Sequence, residues 1–184
     1  MAFAYYQRLS PRNRAIYRRS AAIRRLELPR VEELQPHVLA LEQALLGARP
    51  RAIATAAKRL LAQVSAQLGV AGVHVIRVLE VRPSDAYSEL HGLYERDEAG
   101  RTRITVWMRT AAKAQVVAFR TFLRTLLHEL CHHLDYELYA LADSYHTEGF
   151  FARESSLMRQ LAPALAREDD ETSEQAQAQL ELPW

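Results

Sequence analysis

With 184 residues the chain can bury one core and is short for two domains. Its apolar share of 49% and charged share of 25% suit a globular protein, and only 6 Gly and 7 Pro exclude a collagen-like or low-complexity chain. The formal charge of +2 conceals an asymmetry: residues 1–30 hold eight arginines against the single acid Glu27, and residues 167–184 hold six acids against Arg167.

No apolar run approaches the roughly 18–20 residues that a membrane span needs. The N-terminus shows no apolar stretch followed by a small-residue cleavage site, so no secretory signal is expected. The single cysteine, Cys131, has no partner for an internal disulfide. Together these features lead us to expect a reducing, cytoplasmic setting.

In chain order, Ser10-Pro11 reads as an N-cap followed by proline at the first helical position. A basic helix is expected from there to about Leu26, with Pro29 just past its end. Pro36–Leu46 reads as a short helix with Val38, Leu41 and Leu45 on one side, closed by Gly47 in a left-handed conformation. Over 51–68, Ile53, Ala57, Leu60, Leu61, Val64 and Leu68 recur at helical spacing, and Gly69 ends the run.

Val73–Val81 is rich in β-branched residues and reads as a buried strand. Leu90–Arg96 and Arg103–Arg109 read as two strands around a hairpin loop at 97–100. Gln115–Tyr139 is the longest expected helix, with Phe119, Phe122, Leu123, Leu126, Leu127, Leu130, Leu134 and Leu138 in one apolar stripe. After a loop at 142–144, a last helix is expected from Thr147 to about Leu165. The organisation expected is a basic helical segment over 1–30, a folded domain over 31–166, and a disordered acidic tail over 167–184.

On the longest helix, His128-Glu129-Leu130-Cys131-His132 matches H-E-x-x-H. Histidines four residues apart lie one turn apart on one helix face, so their rings can converge on one zinc ion at about 2.0–2.1 Å. Glu129 stands beside them, placed to act as general base on a metal-bound water without being a ligand. With Phe119 at zero and about 100° per residue, the apolar stripe centres near ~30°, whereas His128, His132 and Asp135 fall near ~180°, ~220° and ~160°. The motif should therefore face a cleft. His133, at the stripe's edge, reads as a packed histidine, and Cys131 as a small buried side chain.

A catalytic zinc takes a third protein ligand. Asp135 and Leu138 stand where an extended H-E-x-x-H-x-x-G-x-x-H motif would need glycine and histidine, which excludes that subclass. His146 is the preferred donor, Glu148 its rival, and Asp143 a distant third. Asp135, Glu148 and Tyr145 are candidates for supporting the ligands, Asp135 as a carboxylate that orients a ligand histidine. Tyr145, Tyr139 and His91 are candidates for donating a hydrogen bond to a tetrahedral oxyanion.

The stretch Thr125–Leu161 resembles the core of SprT-like zincin metallopeptidases, in which H-E-x-x-H is followed by a third histidine just before an aromatic residue that opens the next helix. Here His146 precedes Phe150 and Phe151. The chain departs from the family in reading His146-Thr147-Glu148-Gly149 where His-Gly is usual, and in lacking the cysteine pairs of a zinc ribbon. The resemblance implies a zincin-like α+β fold, with a small sheet of about three strands packed on the H-E-x-x-H helix, helices before it and one after. It also implies peptide-bond hydrolysis and, in some members, action on proteins attached to DNA.

The expected activity is that of a zinc metalloendopeptidase with one Zn2+ per chain held by His128, His132 and His146, and with Glu129 passing a proton from the attacking water to the leaving amine. An extended protein or peptide substrate could pair with a sheet edge, the Arg103–Arg109 strand being one candidate. The alternative is nucleic-acid binding, with any metal structural or serving to process DNA-associated proteins. Arg12, Arg14, Arg18, Arg19, Arg24 and Arg25 would carry that contact, interleaved with Tyr5, Tyr6 and Tyr17.

Overall fold

Ser10 opens the first helix: its hydroxyl accepts the Asn13 N–H at 3.2 Å, and Pro11 fills the first helical position, where no N–H is needed. In this computed structural model, which describes residues 3–85 and 88–166, the helix α1 (Pro11–Ala22) ends four residues before the expected Leu26. The reason is tertiary. The Ser20 and Ile23 carbonyls point to a distant arginine, Arg153, and Leu26 and Leu28 turn into the core. Short 3-10 turns at Ala4–Arg8 and Val31–Leu34 flank this segment.

Helices α2 (Gln35–Leu46) and α3 (Pro50–Gln67) bury the expected stripes, Val38, Leu41 and Leu45 on one, and Ile53, Ala57, Leu60, Leu61 and Val64 on the other. The turn between them differs from expectation in one respect. Gly47 keeps φ −69°, and the following Ala48 takes the left-handed conformation at φ 50°.

Among the described residues the sheet has three strands, β1 (Val75–Val81), β2 (Gly92–Arg96) and β3 (Thr102–Arg109), in the order β1-β3-β2. β1 runs parallel to β3 and β2 antiparallel to it, in a hairpin with the expected loop. The fold is therefore α+β with a small mixed sheet. Two readings need correction. β1 is an edge strand rather than a buried one: Val78 is buried, but Val75, Leu79 and Val81 lie exposed on the uncovered face. Its β-branched residues reflect preference for a pleated backbone, not depth. And β3 is the central strand, hydrogen-bonded on both sides, so it offers no free edge to a substrate.

Helix α4 (Phe119–Glu137) packs beneath β2 and β3. It starts later than expected because Val117 N–H donates to Met108 O, holding 115–117 against the end of β3. Helix α5 (Glu148–Leu161) lies on α4, with α1 packed against α5. Thr147 is its N-cap, accepting the Phe150 N–H at 3.0 Å, and it ends at Leu161, before Pro163. The expected acidic tail, 167–184, lies outside the described residues. Among the described residues no helix is long and apolar enough to cross a membrane.

Candidate metal centre

Four residues per step along α4 put His128 and His132 one turn apart, their ring centroids 5.1 Å from each other. The third ring comes from the loop between α4 and α5. That loop reverses through Ala140, at φ 47°, and is tied back by the Leu141 N–H on Asp135 O at 2.8 Å. It delivers His146 Nε2 to 2.9 Å from His128 Nε2 and 3.1 Å from His132 Nε2. One ligand atom from each histidine lies within 4.8 Å of the others.

The hydrogen bonds on the far sides of the rings decide what these nitrogens can do. His128 Nδ1 lies 2.9 Å from the Glu154 carboxylate, which can only accept, so Nδ1 carries the proton and Nε2 is left a bare lone pair. The Ser144 hydroxyl donates to Asp135 Oδ2 at 2.7 Å, so its oxygen accepts from His132 Nδ1, again at 2.7 Å. His132 Nε2 is therefore also a lone pair. Lone pairs aimed at a common point repel one another unless a cation stands between them. Nitrogens bound tetrahedrally to zinc at about 2.0–2.1 Å lie about 3.3 Å apart, close to the spacings here. Burial, with His128 and His146 alongside, pushes His132 down to about 3, so its ring is neutral at neutral pH.

Beneath the rings lies Phe150, fully buried, with centroids 4.8, 4.7 and 5.1 Å from those of His128, His132 and His146. Phe151 stacks on His146 at 5.8 Å, and the Tyr5 hydroxyl donates to the His146 carbonyl at 2.7 Å. Asp135 is fully buried and is held by Arg153, also buried, at 2.6 Å. Burial pushes the Asp135 carboxyl up, and the Arg153 guanidinium and the Ser144 hydroxyl oppose that shift. Arg153 donates further to Ser20 O at 2.9 Å and Ile23 O at 2.5 Å, which anchors this network to the end of α1. Gly149 lets the two helices meet: a Cβ there would stand 2.7 Å from Ala21 O and 2.8 Å from Ile23 O.

Glu129, next to His128, reaches to β2 and lines the cleft with the three histidines without being one of the converging groups. It is 5% exposed and accepts the Tyr94 N–H. Burial raises its carboxyl to about 7, with His128 and the Tyr94 N–H opposing and Glu154 adding to the rise. Gly92 makes room for it, since a Cβ at that position would be 2.8 Å from Glu129 Cγ and closer still to the carboxylate.

Of the other expected residues, Glu148 accepts from the Tyr17 hydroxyl at 3.3 Å and is not in the cluster. Asp143 accepts the Ser144 N–H at 2.9 Å. Tyr145 donates to Asp143 and packs near Tyr17, and the Tyr139 ring lies under the Arg153 guanidinium at 5.1 Å. His91 lies on the rim of the cleft beside Gly92. Cys131 is buried, and His133 is packed, with Ala71 O and the Tyr94 hydroxyl at its ring nitrogens.

Several of the arginines and tyrosines that suggested nucleic-acid contact meet one another. Arg14 lies over the Tyr6 ring and donates to Gln7 O, Arg18 donates to the Tyr6 hydroxyl, and Arg19 donates to Tyr139 O. Tyr17 is buried. Arg12, Arg24 and Arg25 are exposed.

Ser144, Arg153, Glu154 and Gly92 were not picked out by the sequence reading. A signal for two of them exists. On α5 the spacing of Phe150, Arg153, Glu154, Leu157, Met158 and Leu161 puts an arginine and a glutamate on the apolar face, where an ionised side chain must have a partner. No family model, curated protein or solved structure matches the chain.

Proposed function

We propose that this protein is a zinc-dependent peptide hydrolase of zincin-like build, similar to SprT-like metallopeptidases. The observation that carries the reading is the convergence of three imidazole nitrogens, two of them bare lone pairs, beside a buried carboxylate that is not part of the cluster. His128, His132 and His146 would hold the ion. When bound, zinc supplies Lewis acidity, acidifying water and polarising a carbonyl.

The rest is work for the chain's own groups. Glu129, its carboxyl raised toward neutrality by burial, takes a proton at a carboxylate oxygen and returns it to the leaving amine. Its Tyr94 N–H contact and the Gly92 gap fix where that oxygen stands. Glu154 and Ser144 keep the ring protons of His128 and His132 on the sides away from the ion. Among the described residues β2 has β3 on one side only, and Gly92–Tyr94 border the cleft, so an extended substrate would add to the β2 edge.

The test compares zinc content and casein or peptide cleavage for the wild type and Glu129→Gln. The variant should retain about one zinc per chain and lose at least about a hundredfold in turnover. Equal cleavage by both proteins removes the role given to Glu129, and failure of the wild type to bind zinc removes the enzyme. A second reading, nucleic-acid contact, rests on the exposure of Arg12, Arg24 and Arg25 on and just after α1.

A further inference from the structure

Attack on a peptide carbonyl puts negative charge on its oxygen, and a hydrogen-bond donor already aimed at that oxygen stabilises the transition state. Of the three residues the sequence suggested for this, Tyr145 donates to Asp143 and Tyr139 lies under the Arg153 guanidinium. His91 stands 3.6 Å from Glu89, in the part of the cleft that the Glu129 and Glu154 carboxylates share. The part next to the histidine cluster is a cavity of about 350 Å³, bordered by all three imidazoles, Glu129, Tyr94, Tyr136 and Ser144.

Two of the hydroxyls there are spent. The Tyr94 hydroxyl donates to His133 Nδ1 at 3.3 Å, because His133 Nε2 gives its proton to Ala71 O at 2.7 Å. The Ser144 hydroxyl donates to Asp135. Tyr136 differs. Its oxygen accepts the Ser144 N–H, which it shares with Asp143, and among the described residues nothing accepts its proton.

We propose, on the reading of the protein as a peptide hydrolase, that Tyr136 is a further catalytic residue, whose hydroxyl donates a hydrogen bond to the substrate carbonyl oxygen as that oxygen becomes negative. His128, His132 and Tyr136 form an i, i+4, i+8 row, so Tyr136 lies about 6 Å beyond His132 along α4, and Glu129 stands at the other end of that row. A proton acceptor and a hydrogen-bond donor thus bracket the bond under attack. As the water oxygen bonds to the carbonyl carbon, the π pair moves onto the carbonyl oxygen and Glu129 takes the water proton. Tyr136 keeps its own proton. When the C–N bond breaks, the pair returns to the C–O bond and the amine takes the proton from Glu129.

The phenol is in place before a substrate arrives. Tyr94 stacks on its ring at 6.0 Å, and the Arg96 guanidinium, held by Glu137 at 3.5 Å, lies over that ring at 5.4 Å. Ser144 sets the His132 tautomer through its hydroxyl and the phenol oxygen through its N–H, so ligand and donor are registered to one residue. A donor fixed in this way needs no reorganisation during the reaction. Burial, followed by the Asp143 charge, raises the phenol above its usual range, which keeps the proton on it at neutral pH.

The experiment compares the wild type with Tyr136→Phe, which removes one oxygen and leaves the stacked ring. Zinc affinity is read by chelator competition, and kcat and KM on one peptide. Turnover should fall about a hundredfold, with KM and zinc affinity within about twofold of the wild type. A phosphinic peptide, which carries a fixed tetrahedral oxyanion, should bind the zinc-loaded variant about a hundredfold more weakly. The parent peptide should bind the metal-free forms of both proteins alike.

Equal turnover in the two proteins overturns the role of Tyr136 and leaves the hydrolase standing. So does a variant that loses zinc, or one in which only KM rises, since either marks a structural or ground-state role. A wild type that cleaves nothing, with phosphinic-peptide binding that still weakens in Tyr136→Phe, removes the hydrolase and keeps the oxyanion donor. No cleavage and equal phosphinic-peptide binding overturn both.

Discussion

Replacing Asp135 with Asn changes one atom and should disable a ligand three residues away. In the wild type, Asp135 Oδ1 takes Arg153 and Oδ2 takes the Ser144 hydroxyl, both as acceptors. An amide has one acceptor oxygen, and the short bond to Arg153 will claim it. The new NH2 then faces Ser144 Oγ and donates to it. The hydroxyl turns and donates to His132 Nδ1, which drives the ring proton onto Nε2, the atom that faces the other two imidazoles.

A lost supporting bond of this kind costs about 10–100-fold in metal affinity. Stability also falls, because Arg153 keeps its charge in a site with 1% side-chain exposure and loses its counter-ion. Breaking a buried pair costs about 3–5 kcal/mol. For a chain of this size that is a drop of roughly 6–20 °C in Tm. Zinc competition against a chelator gives the first quantity, and thermal melting of metal-free protein gives the second. Asp135→Asn with zinc affinity within about twofold of the wild type and an unchanged Tm would refute the tautomer argument and the pairing together.

Gly92→Ala should retain zinc, because Glu129 is not a ligand, yet lose about a hundredfold in turnover as the carboxylate is pushed aside; the overpacking should cost about 1–3 kcal/mol, read by denaturant unfolding. Metal-free protein should lose stability on acidification. His132 is held neutral in the fold and charges freely when unfolded, so its contribution is complete above about 6.5 and declines as pH falls from there toward about 3, which urea titrations at a series of pH values can follow. Without zinc, Phe150→Ala should lower Tm by about 6–20 °C, since the ring is fully buried under all three histidines; a shift under about 3 °C counts against that packing. Arg24→Glu with Arg25→Glu should weaken any DNA binding and flatten its salt dependence, and wild-type binding that ignores salt would eliminate the nucleic-acid reading.

How much of this could be read beforehand depended on sequence distance. The His128–His132 pair and the stripes of α2, α3 and α4 follow from helical spacing within one element, and the structure places them as the spacing demands. The hairpin of β2 and β3 is also local. What escaped was long-range. The parallel pairing of β1 with β3 makes β3 central, and nothing within either segment states it. The end of α1 is set by Arg153, 130 residues from Ile23. Gly92 reads as an unremarkable strand glycine until Glu129 is seen to fill the space where its side chain would stand. Glu154 and Arg153 were readable as ions on an apolar helix face, but which ring or carboxylate they served was not.

The third imidazole is tied at its carbonyl by Tyr5, near the start of the chain, and at its base by Phe150 and Phe151, 141 residues or more away from that start. The meeting of the three rings therefore draws on both ends of the fold: α4 alone supplies only the paired helix histidines, and the third ring depends on α5 and on the segment before α1 for its surroundings.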